Sequence, residues 1–312
     1  MIESTTKDGV AVLAMRHGKA NALDTELCQA LCGALDDAAA DGAAAVVLTG
    51  AGTMFSAGVD LKRVTAGREG YVAAFLPELR HAFTRLATFE LPVVAAVNGH
   101  AIAGGFILAA AADWAVMAEG PGRAGVTELL VGVPFPAVAL ELLRLRAGDA
   151  QARLLALSGA TFGAGEALAR GLVDEAVPAA ELGGRSLAAA RRLAALGPAF
   201  GLTKRQLRQG FLAPVHDLAV LDAEVDAIWQ APATLERIRS FMTSLNKPGR
   251  RDPSKASPGM ADKQIGEPAF RSRSATTAGP RPSREIRRSV GKSQTADVPS
   301  EPHPNGVICA RS

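Results

Sequence analysis

Two glycine-containing stretches, GAGTMFSAGVDLK at 50–62 and NGHAIAGGF at 98–106, hold the residues best placed to do chemistry. The second opens a run that is apolar as far as Asp113, where glycine is a poor choice for a core helix because it costs roughly 1 kcal/mol relative to alanine. What glycine allows at a helix opening is close approach of a ligand to free backbone N–H groups, with the positive end of the helix dipole behind them. Two such turns facing one another supply two N–H donors to a single oxygen, which is an oxyanion hole. The plain structural alternative is that Gly58, Gly104 and Gly105 merely permit tight strand-to-helix packing.

The familiar motifs fail in these stretches. Gly50 and Gly52 begin a G-x-G, but no third glycine follows at dinucleotide-binding spacing. Gly99 and Gly104 have P-loop spacing, yet Gly105 and Phe106 stand where Lys and Ser or Thr are required. MFSAG misses the nucleophile elbow because Met54 occupies the first glycine position, and no His and Asp pair is evidently placed to activate Ser56. The five histidines are scattered singly, so no metal site is expected.

The elements that must position these turns follow from periodicity. VAVLAM, AAAVVLTG, LPVVAAVNG and DWAVMAE read as strands, and DTELCQALCGALDDAAA reads as a helix with Leu27, Leu31 and Leu35 on one face. Strand, glycine turn, helix is the recurring unit, and it argues for an α/β fold. From about residue 184 the chain reads as helical, with boundaries near Gly197 and Asp217. This predicts an α/β core over 1–195, a helical region over 196–246, and a Pro-, Ser- and Arg-rich tail over 247–312 that reads as disordered. The tail carries 13 Lys plus Arg against 6 Asp plus Glu, so the net charge of +3 divides into +7 there and −4 elsewhere. It lacks interleaved aromatics or a repeated basic motif, so no nucleic-acid partner is expected. Cys28 and Cys32 sit at helical spacing and are expected to pack, while Cys309 gets no role. MIESTTKDGV is polar and no uninterrupted apolar stretch is long enough to span a bilayer, so neither signal peptide nor membrane is expected, and the setting is read as cytoplasmic.

FSAGVDLK and VNGHAIAGG, with HGKANALD upstream and GVTELLVGVPFP downstream, resemble the crotonase superfamily, the enoyl-CoA hydratases and isomerases. The resemblance runs from near residue 8 to about 245, and SGATFGAGEALARGLVDEAVP is similar to the stretch in which the family's chain leaves the core. It implies a crotonase-like spiral of ββα units, a C-terminal helical trimerisation region giving a homotrimer or dimer of trimers, and an acyl-CoA thioester whose oxygen accepts two backbone N–H bonds. Carried over by position, those donors are Val59 and Gly104. Lys19, Ala20, Ala22, Asp60, Leu61 and Lys62 fall where the family wraps CoA, and Ala57, Gly105 and Ile107 complete the expected substrate-binding set. Coenzyme A enters as part of the substrate, and no separate cofactor or metal is implied.

In the family's hydratases two glutamates hold a water, one of them three residues after the oxyanion-hole glycine; here that position is Ile107. The other has a counterpart in Glu128, among Val126, Leu129, Leu130 and Val131. Such neighbours raise a carboxyl pKa by desolvation, toward what a general base near neutrality needs. The bland reading is a solvated glutamate opening a helix after Thr127. Isomerisation of a 3-enoyl to a 2-enoyl thioester needs one base, and the resemblance to single-glutamate isomerases places it first. A hydratase managing with Glu128 alone comes second, and a non-catalytic acyl-CoA-binding member third. Acyl-chain length is left open because pocket depth depends on loop residues such as those in TAGREGYVAAFLPEL.

Overall fold

The computed structural model describes residues 1–66 and 70–245; the predicted tail over 247–312 lies outside the described residues. The chain runs β1 (Ile2–Lys7), β2 (Val10–Met15), α1 (Thr25–Ala40), β3 (Ala45–Thr49), β4 (Met54–Ser56), α2 (Leu61–Thr65), α3 (Tyr71–Thr88), β5 (Val93–Val97), β6 (His100–Ile102) and α4 (Gly104–Ala111). It continues through β7 (Trp114–Ala118), β8 (Ala124–Gly125), α5 (Glu128–Val131), α6 (Ala137–Ser158), β9 (Thr161–Phe162), α7 (Ala164–Ala169), β10 (Glu175–Val177), α8 (Leu182–Ala194), α9 (Pro198–Gln230) and α10 (Pro232–Leu245).

Six strands form a sheet in the order β1-β2-β3-β5-β7-β10, antiparallel only at the β1-β2 hairpin. Its central strands read as short Val- and Ala-rich runs because both faces are covered. Val47, Val94 and Val116 point into a cluster with Ala189 and Ala190 of α8, and Val46, Leu48 and Ala95 into the main core with Leu31, Phe83 and Phe106. The sequence reading missed β1, an edge strand whose residues are almost all exposed. Its signal was Asp8-Gly9, where φ of 49° and 77° gives the two positive values of a type I′ hairpin turn.

Four short strands form a second sheet in the order β4-β6-β8-β9. The first three are mutually parallel, so their C-terminal ends lie along one edge. That edge matters most for function, because β4 leads to Val59, β6 to Gly104 and β8 to Glu128.

Three expectations need correction. The chain does not leave the core within 158–178: β10 returns as an edge strand beside β7, and departure comes after α8. No boundary falls at Asp217, because α9 runs 33 residues from its cap at Gly197 to Gln230, passing through Pro214. One missing N–H is tolerated there because tertiary packing holds the helix on either side, through buried Phe211 and Trp229 and through Lys204 and Arg208, which bond Asp113 at 2.6 and 3.2 Å. The stretch taken as a loop, TAGREGYVAAFLPEL, is helical from Tyr71 onward; its buried Phe75, Leu76 and Leu79 pack as one stripe.

Candidate active site

The first turn follows β4. Gly58 has φ +80°, and a Cβ there would stand 2.8 Å from the Ile102 carbonyl oxygen and 3.0 Å from the Gly104 nitrogen. Only glycine permits this approach, and it brings the two turns into contact. Leu23 donates to the Gly58 carbonyl at 2.8 Å and accepts from Asp60 N–H at 2.9 Å, a parallel bridge that turns the N–H of Val59 the other way. Ser56 Oγ donates to the Asn21 carbonyl at 2.7 Å, and Asn21 Nδ2 donates to the Phe55 carbonyl at 3.1 Å, fixing the turn from below. Asp60 then caps α2, accepting from the N–H groups of Lys62 and Arg63.

The second turn follows β6. Ala103 adopts φ 53° and ψ −130°, a conformation an L-residue rarely holds, immediately before Gly104 opens α4. Its N–H donates to the Gly125 carbonyl at 2.9 Å, and its carbonyl accepts from Phe106 and Ile107. Among the described residues the N–H groups of Val59 and Gly104 have no protein acceptor. The paired glycines have separate reasons. Gly104 faces the cavity, whereas a Cβ on Gly105 would sit 2.2 Å from the Ser56 carbonyl oxygen. Gly105 therefore stands against the Ser56 backbone and does not itself line the cavity.

Glu128 opens the one-turn α5 and is 8% exposed, so the solvated reading of this residue fails. Its Oε2 is buried and has no hydrogen-bond partner among the described residues. Burial pushes its carboxyl up from the ordinary 4.5 to about 7, against the pull of the Glu128 and Thr127 backbone N–H groups.

One cavity of about 700 Å³ gathers these groups. Its lining includes Val59, Gly104, Glu128 and Ile107, together with Lys19, Ala20, Ala22, Ala57, Asp60, Leu61 and Lys62. Of the expected residues only Gly105 is absent from the lining. Ile107 is fully buried. Sequence reasoning missed His17, held at 2.6 Å from Asp24, and the apolar wall formed by Leu79, Phe83, Trp229, Phe241 and Met242. These apolar residues recur at helical spacing as core residues do, and periodicity does not distinguish a side chain facing a neighbour from one facing a cavity. Among the described residues no three His, Cys, Asp or Glu side chains are grouped to hold a metal, and no helix is long and apolar enough to cross a membrane.

Residues 5–234 match the family model described as enoyl-CoA hydratase/isomerase. A probable enoyl-CoA hydratase EchA17 of Mycobacterium avium is 35% identical over 228 residues, covering 72% of this chain and 80% of the relative. Human mitochondrial delta3-delta2-enoyl-CoA isomerase aligns with a TM-score of 0.73 at 25% identity, over 78% of this chain and 97% of the other. The enoyl-CoA isomerase of Mycobacterium tuberculosis aligns with a TM-score of 0.65 at 34% identity, over 73% and 96%.

Proposed function

Because the chain belongs to the enoyl-CoA hydratase/isomerase family of the crotonase superfamily, and is an enzyme of that superfamily, we propose that it converts 3-enoyl-CoA to 2-enoyl-CoA with Glu128 as its only proton shuttle. The observation that carries this reading is the cavity's acid inventory. Among the described lining residues the carboxylates are Asp60 and Glu128, and Asp60 is committed to capping α2. Of these two carboxylates Glu128 is the one free to move a proton, and the fully buried Ile107 occupies the position where a second carboxylate would grip a water.

The chemistry follows from that inventory. The thioester oxygen accepts from the Val59 and Gly104 N–H groups, which stabilise negative charge as it develops. Glu128 takes a proton from carbon 2, the double bonds shift through a dienolate, and the same carboxyl group returns the proton at carbon 4. Nothing is oxidised or consumed, so the reaction needs no cofactor beyond the CoA of its substrate. An apolar Ile107 beside the dienolate keeps water from competing. In the alternative reading, which the names of the bacterial hydratase relatives favour, Glu128 alone activates water. The exposed Leu202, Leu207, Val220 and Leu221 of α9 support a homotrimeric or hexameric assembly, which light scattering tests; a monomer at micromolar concentration would refute it.

The deciding experiment presents 3-enoyl- and 2-enoyl-CoA separately and identifies the products. Conversion of the former with little hydration of the latter supports the isomerase, and Glu128→Gln should lower turnover by roughly 100- to 10,000-fold. Rapid hydration with no isomerisation would overturn it.

A further inference from the structure

The wall of the substrate cavity is thin at one place. Phe241 of α10, with Leu130 and Val131 of α5, lines the main cavity. The same three residues also line a second, shallower cleft of about 540 Å³ between α5 and α10, bounded otherwise by Ala233, Glu236, Arg237 and Ser240. These side chains are therefore the partition between the two spaces. They are not equivalent. Leu130 and Val131 belong to the helix of the proton shuttle, whereas Phe241 comes from a separate helix and is only half-buried.

The partition adjoins the proton shuttle, because Leu130 and Val131 stand two and three residues after Glu128 in the same short helix. A thioester with its oxygen between Val59 and Gly104 and carbons 2 to 4 at Glu128 extends its remaining carbons toward α5, α9 and α10. On the α9 side Trp229 is 2% exposed and pinned by its Nε1–H to the Pro134 carbonyl at 3.0 Å. That wall is fixed. On the α10 side Phe241 and Met242 follow a hinge-like break at Ala231, and α10 is tied back to α2 through Arg239, which donates to the Thr65 carbonyl at 3.2 Å.

We propose that Phe241 is the chain-length stop of this enzyme: its ring closes the acyl end of the cavity against the α5–α10 cleft, and the preferred thioester carries an aliphatic chain that ends at that ring. The inference rests on the acyl-CoA reading of the cavity. Removing the ring joins the two spaces, so a longer chain passes into the cleft between Leu130 and the α10 backbone. Enlarging the ring shortens the chain accepted.

The test uses equilibrium binding of saturated acyl-CoAs, which needs no turnover. Butanoyl-, octanoyl-, dodecanoyl- and hexadecanoyl-CoA are titrated calorimetrically into the wild type, Phe241→Ala and Phe241→Trp, with circular dichroism checking each fold. A newly buried methylene is worth about fourfold in Kd. In the wild type affinity should rise and then stop rising with length. Phe241→Ala should move that break to longer chains, gaining tenfold or more for the longest thioester, and Phe241→Trp should move it to shorter ones. A break at the same length in all three proteins would overturn the stop while leaving the acyl-CoA reading intact. Failure of the wild type to bind any of the thioesters would overturn both.

Discussion

A carboxyl group held inside an apolar wall with one oxygen unpartnered has a cost that a stability measurement can read. Glu128 ionises at about 7 in the folded protein and near 4.5 when unfolded. Below about pH 4.5 both states are protonated and the group contributes no pH dependence. Between 4.5 and 7 the unfolded chain loses its proton while the folded one keeps it, so stability falls as pH rises. At about 1.4 kcal/mol per pH unit, the loss amounts to about 3 kcal/mol by slightly alkaline pH. Glu128→Gln keeps the shape and never ionises, so it escapes this loss, and any cost of burying its amide is the same at every pH. Comparing the two proteins at about pH 5 and about pH 8 therefore isolates the ionisation term. About 2.5 kcal/mol of the loss falls between those two conditions, so for a domain of this size the variant should gain roughly 5–10 °C in Tm over the wild type. Thermal unfolding at one fixed protein concentration gives the answer. Parallel stability curves would show that the carboxylate is solvated in the native state, and the argument for Glu128 as a desolvated base would fall with it.

Catalysis carries the same group in the opposite direction: kcat/KM should fall on the acid side with a midpoint near 7, because the base must be ionised, and a limb near the ordinary 4.5 would contradict the burial argument. Gly105→Ala should destabilise by about 3 kcal/mol or more, since its Cβ would meet the Ser56 carbonyl oxygen at 2.2 Å, whereas Gly104→Ala, whose nearest atom is the movable Leu23 Cδ1 at 3.0 Å, should cost less; equal losses in denaturant unfolding of the two variants would show that the paired glycines are interchangeable. Ala103→Gly should stabilise by about 1 kcal/mol by relieving the positive φ, net of the entropy glycine adds to the unfolded chain, and a lowered denaturation midpoint would show that Ala103 is not strained.

The local features of this protein were legible in its sequence because short-range physics sets them. Glycines where backbone must approach backbone, strand runs of Val and Ala buried on two faces, and Leu27, Leu31 and Leu35 on one helical stripe each follow from neighbours a few residues apart. The pairing of the two glycine turns was legible as a possibility. What the sequence alone could not decide is that β4, β6 and β8 lie side by side and parallel, so that residues 59, 104 and 128 end on one edge. Strands of two or three residues carry no register signal of their own, and their pairing is imposed by the larger sheet and the helices around it. The burial of Glu128 is decided in the same way. Its neighbours in sequence are apolar, but Leu129 and Leu130 are 41% and 39% exposed, so sequence context alone does not desolvate it. Its side chain is buried at a cavity whose wall includes Phe83, Trp229 and Phe241, and those residues arrive from helices 45 to 113 positions away in the chain. Desolvation depends on what fills the space around a group, and only the tertiary structure brings that material there.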